Sequence, residues 1–79
     1  MAHPKSVSEW SQRAARFLKA ELKRENMTYE ELAAGMEKFG FKETRASIAN
    51  KLMRGSHSTA FFLAALAAIG RDSLKIGDI

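Results

Sequence analysis

The segment TRASIANKLMRG, residues 44–55, gathers Arg45, Ser47, Asn50 and Arg54. A guanidinium offers a fork of donors that matches a guanine edge or a phosphate, an amide can pair with adenine, and a hydroxyl serves either. Lys42, Lys51 and His57 flank these four and suit phosphate oxygens, as do the backbone N–H groups at a helix start capped by Thr44. Whether these groups share one surface depends on the helix that carries them. Ile48 and Leu52 lie one turn apart and face inward with Ala49 and Phe41. Ala46, Ser47, Asn50, Met53 and Arg54 then fall on the outer arc, with Lys51 at its edge.

Other chemistries find less material. The chain has no cysteine and two histidines, His3 and His57, without the spacing of a zinc site. Glu30 and Glu31 read as a solvated helix start, not a converging acid and base. No Gly-rich phosphate loop or nucleophile elbow occurs. Ser56, His57 and Ser58 read as a turn and a cap. The expectation is therefore a protein that is not an enzyme and needs no metal or cofactor.

The chain of 79 residues is the size of one small domain, with residues 1–6 as a flexible N-terminus and 71–79 as a tail. Its net charge is +4, unevenly spread. Residues 41–59 carry four Lys/Arg against one Glu, whereas residues 60–79 balance at two against two. The longest apolar run, STAFFLAALAAIG, is well short of the roughly 20 residues that span a bilayer. No secretory signal is visible at the N-terminus, so the expected place is the cytoplasm.

Four helices should position the donors. SVSE at residues 6–9 fits a capping box, and the helix it opens runs over about 7–24, with Trp10, Ala14, Phe17, Leu18 and Leu22 at helical spacing. Its outer face carries Arg13, Arg16, Lys19, Lys23 and Arg24. TYEE at 28–31 opens a second helix, with Leu32, Met36 and Phe39 inward and a stop at Gly40. Gly35 inside that helix marks a close crossing. Thr44 opens the third helix, which ends at Gly55. The fourth begins at Ser58 or Thr59 and ends at Gly70, with Phe62, Leu66 and Ile69 as its core stripe. Phe61, Leu63 and Ala65 leave little of its circumference polar, so a second burial surface is expected. Phe61, Ala65, Leu74 and Ile76 are the candidates for a dimer or partner surface. The tail DSLKIGDI either forms a short strand, pairing with its own copy in a dimer, or folds over the core.

TYEELAA, then SIANKLMRG, then FFLAALAAIG resembles, over about residues 12–76, the order found in lambda-repressor-like (Cro/C1, XRE-type) helix-turn-helix domains. A narrower resemblance, through RAARFLKAELKRENMTYEELA, NKLMRG and FFLAALAAIG, is to a family of small bacterial proteins without an established activity. The resemblance implies an all-α, compact four-helix domain whose second and third helices form a helix-turn-helix. The chain departs from the repressor pattern in three ways. GMEKFGFKET lengthens the connection from Leu32 to Ile48, the step from Ile48 to Gly55 is longer by one residue, and Arg45 and Ala46 stand where many repressors carry paired glutamines.

From these readings the expected function is that of a transcriptional regulator, possible as a homodimer, which inserts helix 3 into the major groove of double-stranded DNA. No small-molecule effector is evident from the residues. The alternative is a protein-interaction module of antitoxin or adaptor type, which uses the apolar surface of helix 4 and does not bind DNA.

Overall fold

The computed structural model describes residues 3–79. Four α-helices follow one another: α1 (Val7–Arg24), α2 (Tyr29–Glu37), α3 (Arg45–Arg54) and α4 (Thr59–Ile69), before a single 3-10 turn at Ile76–Asp78. Each α-helix starts where a hydroxyl can satisfy an otherwise unpaired N–H. Ser6 accepts from the Glu9 amide at 3.1 Å, Thr28 from Glu31 at 3.1 Å, Thr44 from Ser47 at 3.0 Å and Ser58 from Phe61 at 3.0 Å. At Thr28 the box is reciprocal, because its own N–H donates to the Glu31 carboxylate at 2.9 Å. Each such cap contributes roughly 1 kcal/mol.

α1 packs on α3 and α4, and α2 packs on the same two helices. The core they enclose consists of Ala15, Leu18 and Leu22 from α1, Leu32 and Met36 from α2, Ile48 and Leu52 from α3, and Phe61, Ala65, Leu66 and Ile69 from α4. Each large side chain fully buried there contributes roughly 1.5–3 kcal/mol. Gly35 sits at the α2–α4 crossing: a Cβ built on it would lie 3.3 Å from the Cβ of Ala68. The small residue is what allows the two backbones to approach. The chain turns by 120° between α3 and α4, and no single helix among the described residues is long and apolar enough to cross a membrane.

Three expectations are corrected. Phe61 and Ala65, expected on a partner surface, are core residues at 1% and 0% exposure. α4 is rotated so that Phe61, Ala65 and Ile69 face inward in successive turns, leaving Phe62 half-buried and Leu63 58% exposed. The rotation lets the Phe61 ring meet Phe41 edge to face at 6.4 Å. Phe39, expected in the α2 stripe, is 45% exposed because α2 has ended at Glu37 and helical spacing no longer sets its direction.

The tail forms no strand, and no strand occurs among the described residues. It folds back onto α1 and α4 instead. Leu74 packs against the core, Arg13 Nε donates to the Ile79 carbonyl at 3.1 Å, and Arg71 reaches Asp78 at 3.7 Å. Ile76, the other tail residue of the expected partner surface, is exposed. Of the N-terminal residues, 1 and 2 lie outside the described part. His3 stacks on Trp10 at 5.9 Å and Pro4 is buried.

Candidate nucleic-acid interface

The amphipathic pattern of α3 decides which side chains reach solvent. With Ile48 and Leu52 in the core, Ala46, Asn50, Met53 and Arg54 are exposed on the opposite side, and Arg45 projects from the first turn. Met53 is the bulkiest apolar group there, at 66% exposure. Lys42 and Thr44 are exposed just before the helix. The Thr44 hydroxyl is occupied as the cap, and the Thr44 N–H donates to Ser47 Oγ at 2.8 Å.

Two of the expected contacts are turned to internal work by a residue that pattern reading passed over. The Glu43 carboxylate, only 6% exposed, accepts a hydrogen bond from Ser47 Oγ at 2.6 Å and pairs with Lys51 Nζ at 2.5 Å. Lys51 is thereby drawn over the Phe61 ring, 4.9 Å from its centre. A carboxylate beside the first turn of a helix also suits the partial positive charge there. The same acid thus fixes the start of α3, spends the positive charge of Lys51 and is itself hidden from the solvent face. The only sequence signal was its position, immediately before the cap and two helical turns from Lys51.

His57, expected beside a phosphate, is half-buried in the turn after α3. Its ring stacks on Phe62 at 6.0 Å and lies 5.7 Å from Phe61, and its Nε2 is buried without a hydrogen-bond partner. Its role in this fold is packing.

The C-terminal end of α3 is held from α1. Gly55 adopts a left-handed conformation with φ +66°, which closes the helix. Gln12 Nε2 donates to the Arg54 carbonyl at 3.2 Å, and a Cβ at position 55 would meet the Gln12 amide at 3.0 Å. No local pattern could have revealed this contact, since the partners are 42 residues apart.

Lys42, Arg45, Asn50 and Arg54 are therefore the exposed donors, while Thr44, Ser47, Lys51 and His57 support the helix that carries them. Asn50 and Arg54 lie on the side of α3 opposite the core, and Arg45 stands at the first turn, about 180° around the helix from Arg54. Among the described residues no group of three metal-binding side chains converges.

No curated protein and no solved structure matches the chain. A family model does: DUF6471, a domain of unknown function, matches residues 10–74. That span takes in α2, α3 and α4 whole and α1 from Trp10 onward. The narrower of the two resemblances, to a family without an established activity, is the one this match bears on. Over these residues the chain belongs to the DUF6471 family.

Proposed function

We propose that the protein binds double-stranded DNA by laying the outer face of α3 in the major groove, with α2 bracing it as the first helix of a helix-turn-helix, and that it acts as a transcriptional regulator. The observation that carries this reading is the chemistry of the exposed groups on and just before α3. Lys42, Arg45, Asn50 and Arg54 are exposed along α3, and Glu43, the one acid in residues 41–59, is turned inward and paired with Lys51. A set of exposed donors without an opposing carboxylate is what a polyanion with acceptor-rich edges requires. Arg45, Asn50 and Arg54 would meet base edges, while Lys42 and the N–H groups of the first turn of α3 would hold phosphates. The motif resemblance to lambda-repressor-like domains supports the same assignment. Two copies joined through exposed apolar groups such as Leu63 and Ile76 would present two such helices about 34 Å apart.

Fluorescence anisotropy with a labelled mixed-sequence duplex tests the reading. The apparent affinity should fall steeply as salt rises, by about 0.9 in log K per phosphate contact for each unit of log salt. Arg54→Ala should weaken binding about tenfold, in line with the roughly 1–3 kcal/mol of a base-reading contact. Absence of binding at low salt would overturn the proposal.

A second reading has its own observation. Leu63, Leu66, Ala67 and Leu74 line a cleft of about 360 Å³ between α4 and the tail. In that reading the domain docks a protein partner there, and its binding is nearly indifferent to salt.

A further inference from the structure

A second basic surface lies along α1. A cleft of about 470 Å³ is lined by Arg13, Arg16, Phe17, Arg24, Arg71 and Asp78, with Glu21 at its base. Glu21 is 4% exposed and accepts from Arg71 at 2.9 Å while pairing with Arg24 at 3.4 Å. Arg71 is fully engaged: it also reaches Asp78 at 3.7 Å, donates to the Ser73 carbonyl at 2.9 Å and lies 5.0 Å over the Phe17 ring. The two acids of the cleft are thus already taken by Arg71 and Arg24.

Arg13 and Arg16 are not spent in this way. Arg13 uses only its Nε, on the Ile79 carbonyl at 3.1 Å. Its two terminal nitrogens and the whole Arg16 guanidinium have no protein partner among the described residues. Side chains three residues apart on a helix are neighbours, so both forks open onto the same space. The free nitrogens of two neighbouring guanidiniums can take three oxygens of one oxyanion, and four arginines outnumber the Glu21 and Asp78 side chains and the chain-end carboxylate of Ile79, which leaves the cleft positive. Phe17 and Ala20 supply an apolar wall beside them. The volume is within the range of small-molecule sites, about 300–1,000 Å³.

We propose that this cleft binds the phosphate group of a small phosphorylated molecule, with Arg13 and Arg16 holding the oxyanion and the Phe17–Ala20 wall taking the organic part. The cleft shares no lining residue with the α3 face. Around α1, Arg16, Arg13 and Phe17 stand about 40°, 100° and 140° from Gln12, the side chain that meets the end of α3. The proposal does not depend on DNA binding.

Three titrations of the 79-residue protein, followed by amide and arginine Nε–H NMR shifts, test it: inorganic phosphate, adenosine monophosphate and a mixed-sequence duplex. Saturable shifts confined to residues 13–24, 71 and the tail are expected with the first two ligands, the monophosphate binding more tightly. Arg16→Gln removes an exposed, unpaired side chain and should leave the spectrum folded while weakening both ligands at least tenfold. Lys38→Gln, which removes one charge outside the cleft, should change neither. Equal losses in the two variants, or shifts scattered over all lysines and arginines, would reduce the cleft to general ionic attraction and overturn the proposal. Shifts there with the duplex but not with the monophosphate would overturn it as well, assigning Arg13 and Arg16 to a nucleic-acid backbone.

Discussion

α3 and α4 are consecutive helices of almost equal length, 10 and 11 residues, separated by one sharp turn, yet they are held by different means. α3 has two sides. Ile48 and Leu52 enter the core and Asn50 and Arg54 face solvent, so a wrong rotation would bury charge or expose the stripe. α4 carries no charged residue at all. Its rotation is decided by which ring fills the space beside Phe41, a matter of shape. Polar residues orient a helix from its own sequence, whereas an apolar helix takes its orientation from its neighbours.

The largest effect should come from testing that rotation. Phe61→Ala is expected to cost about 3–5 kcal/mol in urea unfolding, because it empties a fully enclosed site. Phe62→Ala should cost clearly less, since its ring is half-buried. A reversed order would place Phe62 in the core and turn α4 by a third of a revolution. Leu52→Ala comes next, at about 2–5 kcal/mol, and tests the inward side of α3 in the same way.

Glu43→Gln should have a smaller effect on stability, about 1–2 kcal/mol, from losing the charge-assisted bond to Lys51 while Ser47 keeps an acceptor. If α3 meets DNA, the same change frees a cation and removes an anion, so affinity should rise severalfold as stability falls. Paired melting curves and anisotropy titrations would show the two moving in opposite directions; a parallel fall would mean that Glu43 acts by positioning α3. The smallest change in stability belongs to Arg54→Ala, expected within about 0.5 kcal/mol of the parent. A larger loss would place Arg54 in a structural network and take it out of the exposed face.

These contrasts also explain what was legible in the sequence. The four helix starts could be read because Ser6, Thr28, Thr44 and Ser58 are local signals whose partners lie three residues away. The inward side of α3 could be read because its apolar spacing has a single interpretation. α4 offered several overlapping stripes, and Phe62 was the natural but mistaken choice. The alternation of Leu74 and Ile76 suggested a strand, but extended pairing needs a second strand, and the tail finds closer partners in Arg13 of α1, in the core for Leu74 and in its own Arg71 for Asp78. The candidate interface was legible at Arg45, Asn50 and Arg54, whose exposure follows from helix periodicity and from Arg45's place at the first turn. It was not legible at Lys51 and Ser47, because their engagement depends on the rotamer of Glu43. Nor was it legible at Gln12, which meets α3 only after the chain has folded.

The most direct test of the central assignment is a residue-resolved NMR titration with mixed-sequence duplex DNA at low and moderate salt. Shifts concentrated at residues 42–54, largest around Arg45, Asn50 and Arg54 and reduced by salt, are the predicted result. Unchanged α3 amides at low salt, or shifts confined to Leu63, Ala67 and Leu74, would contradict it.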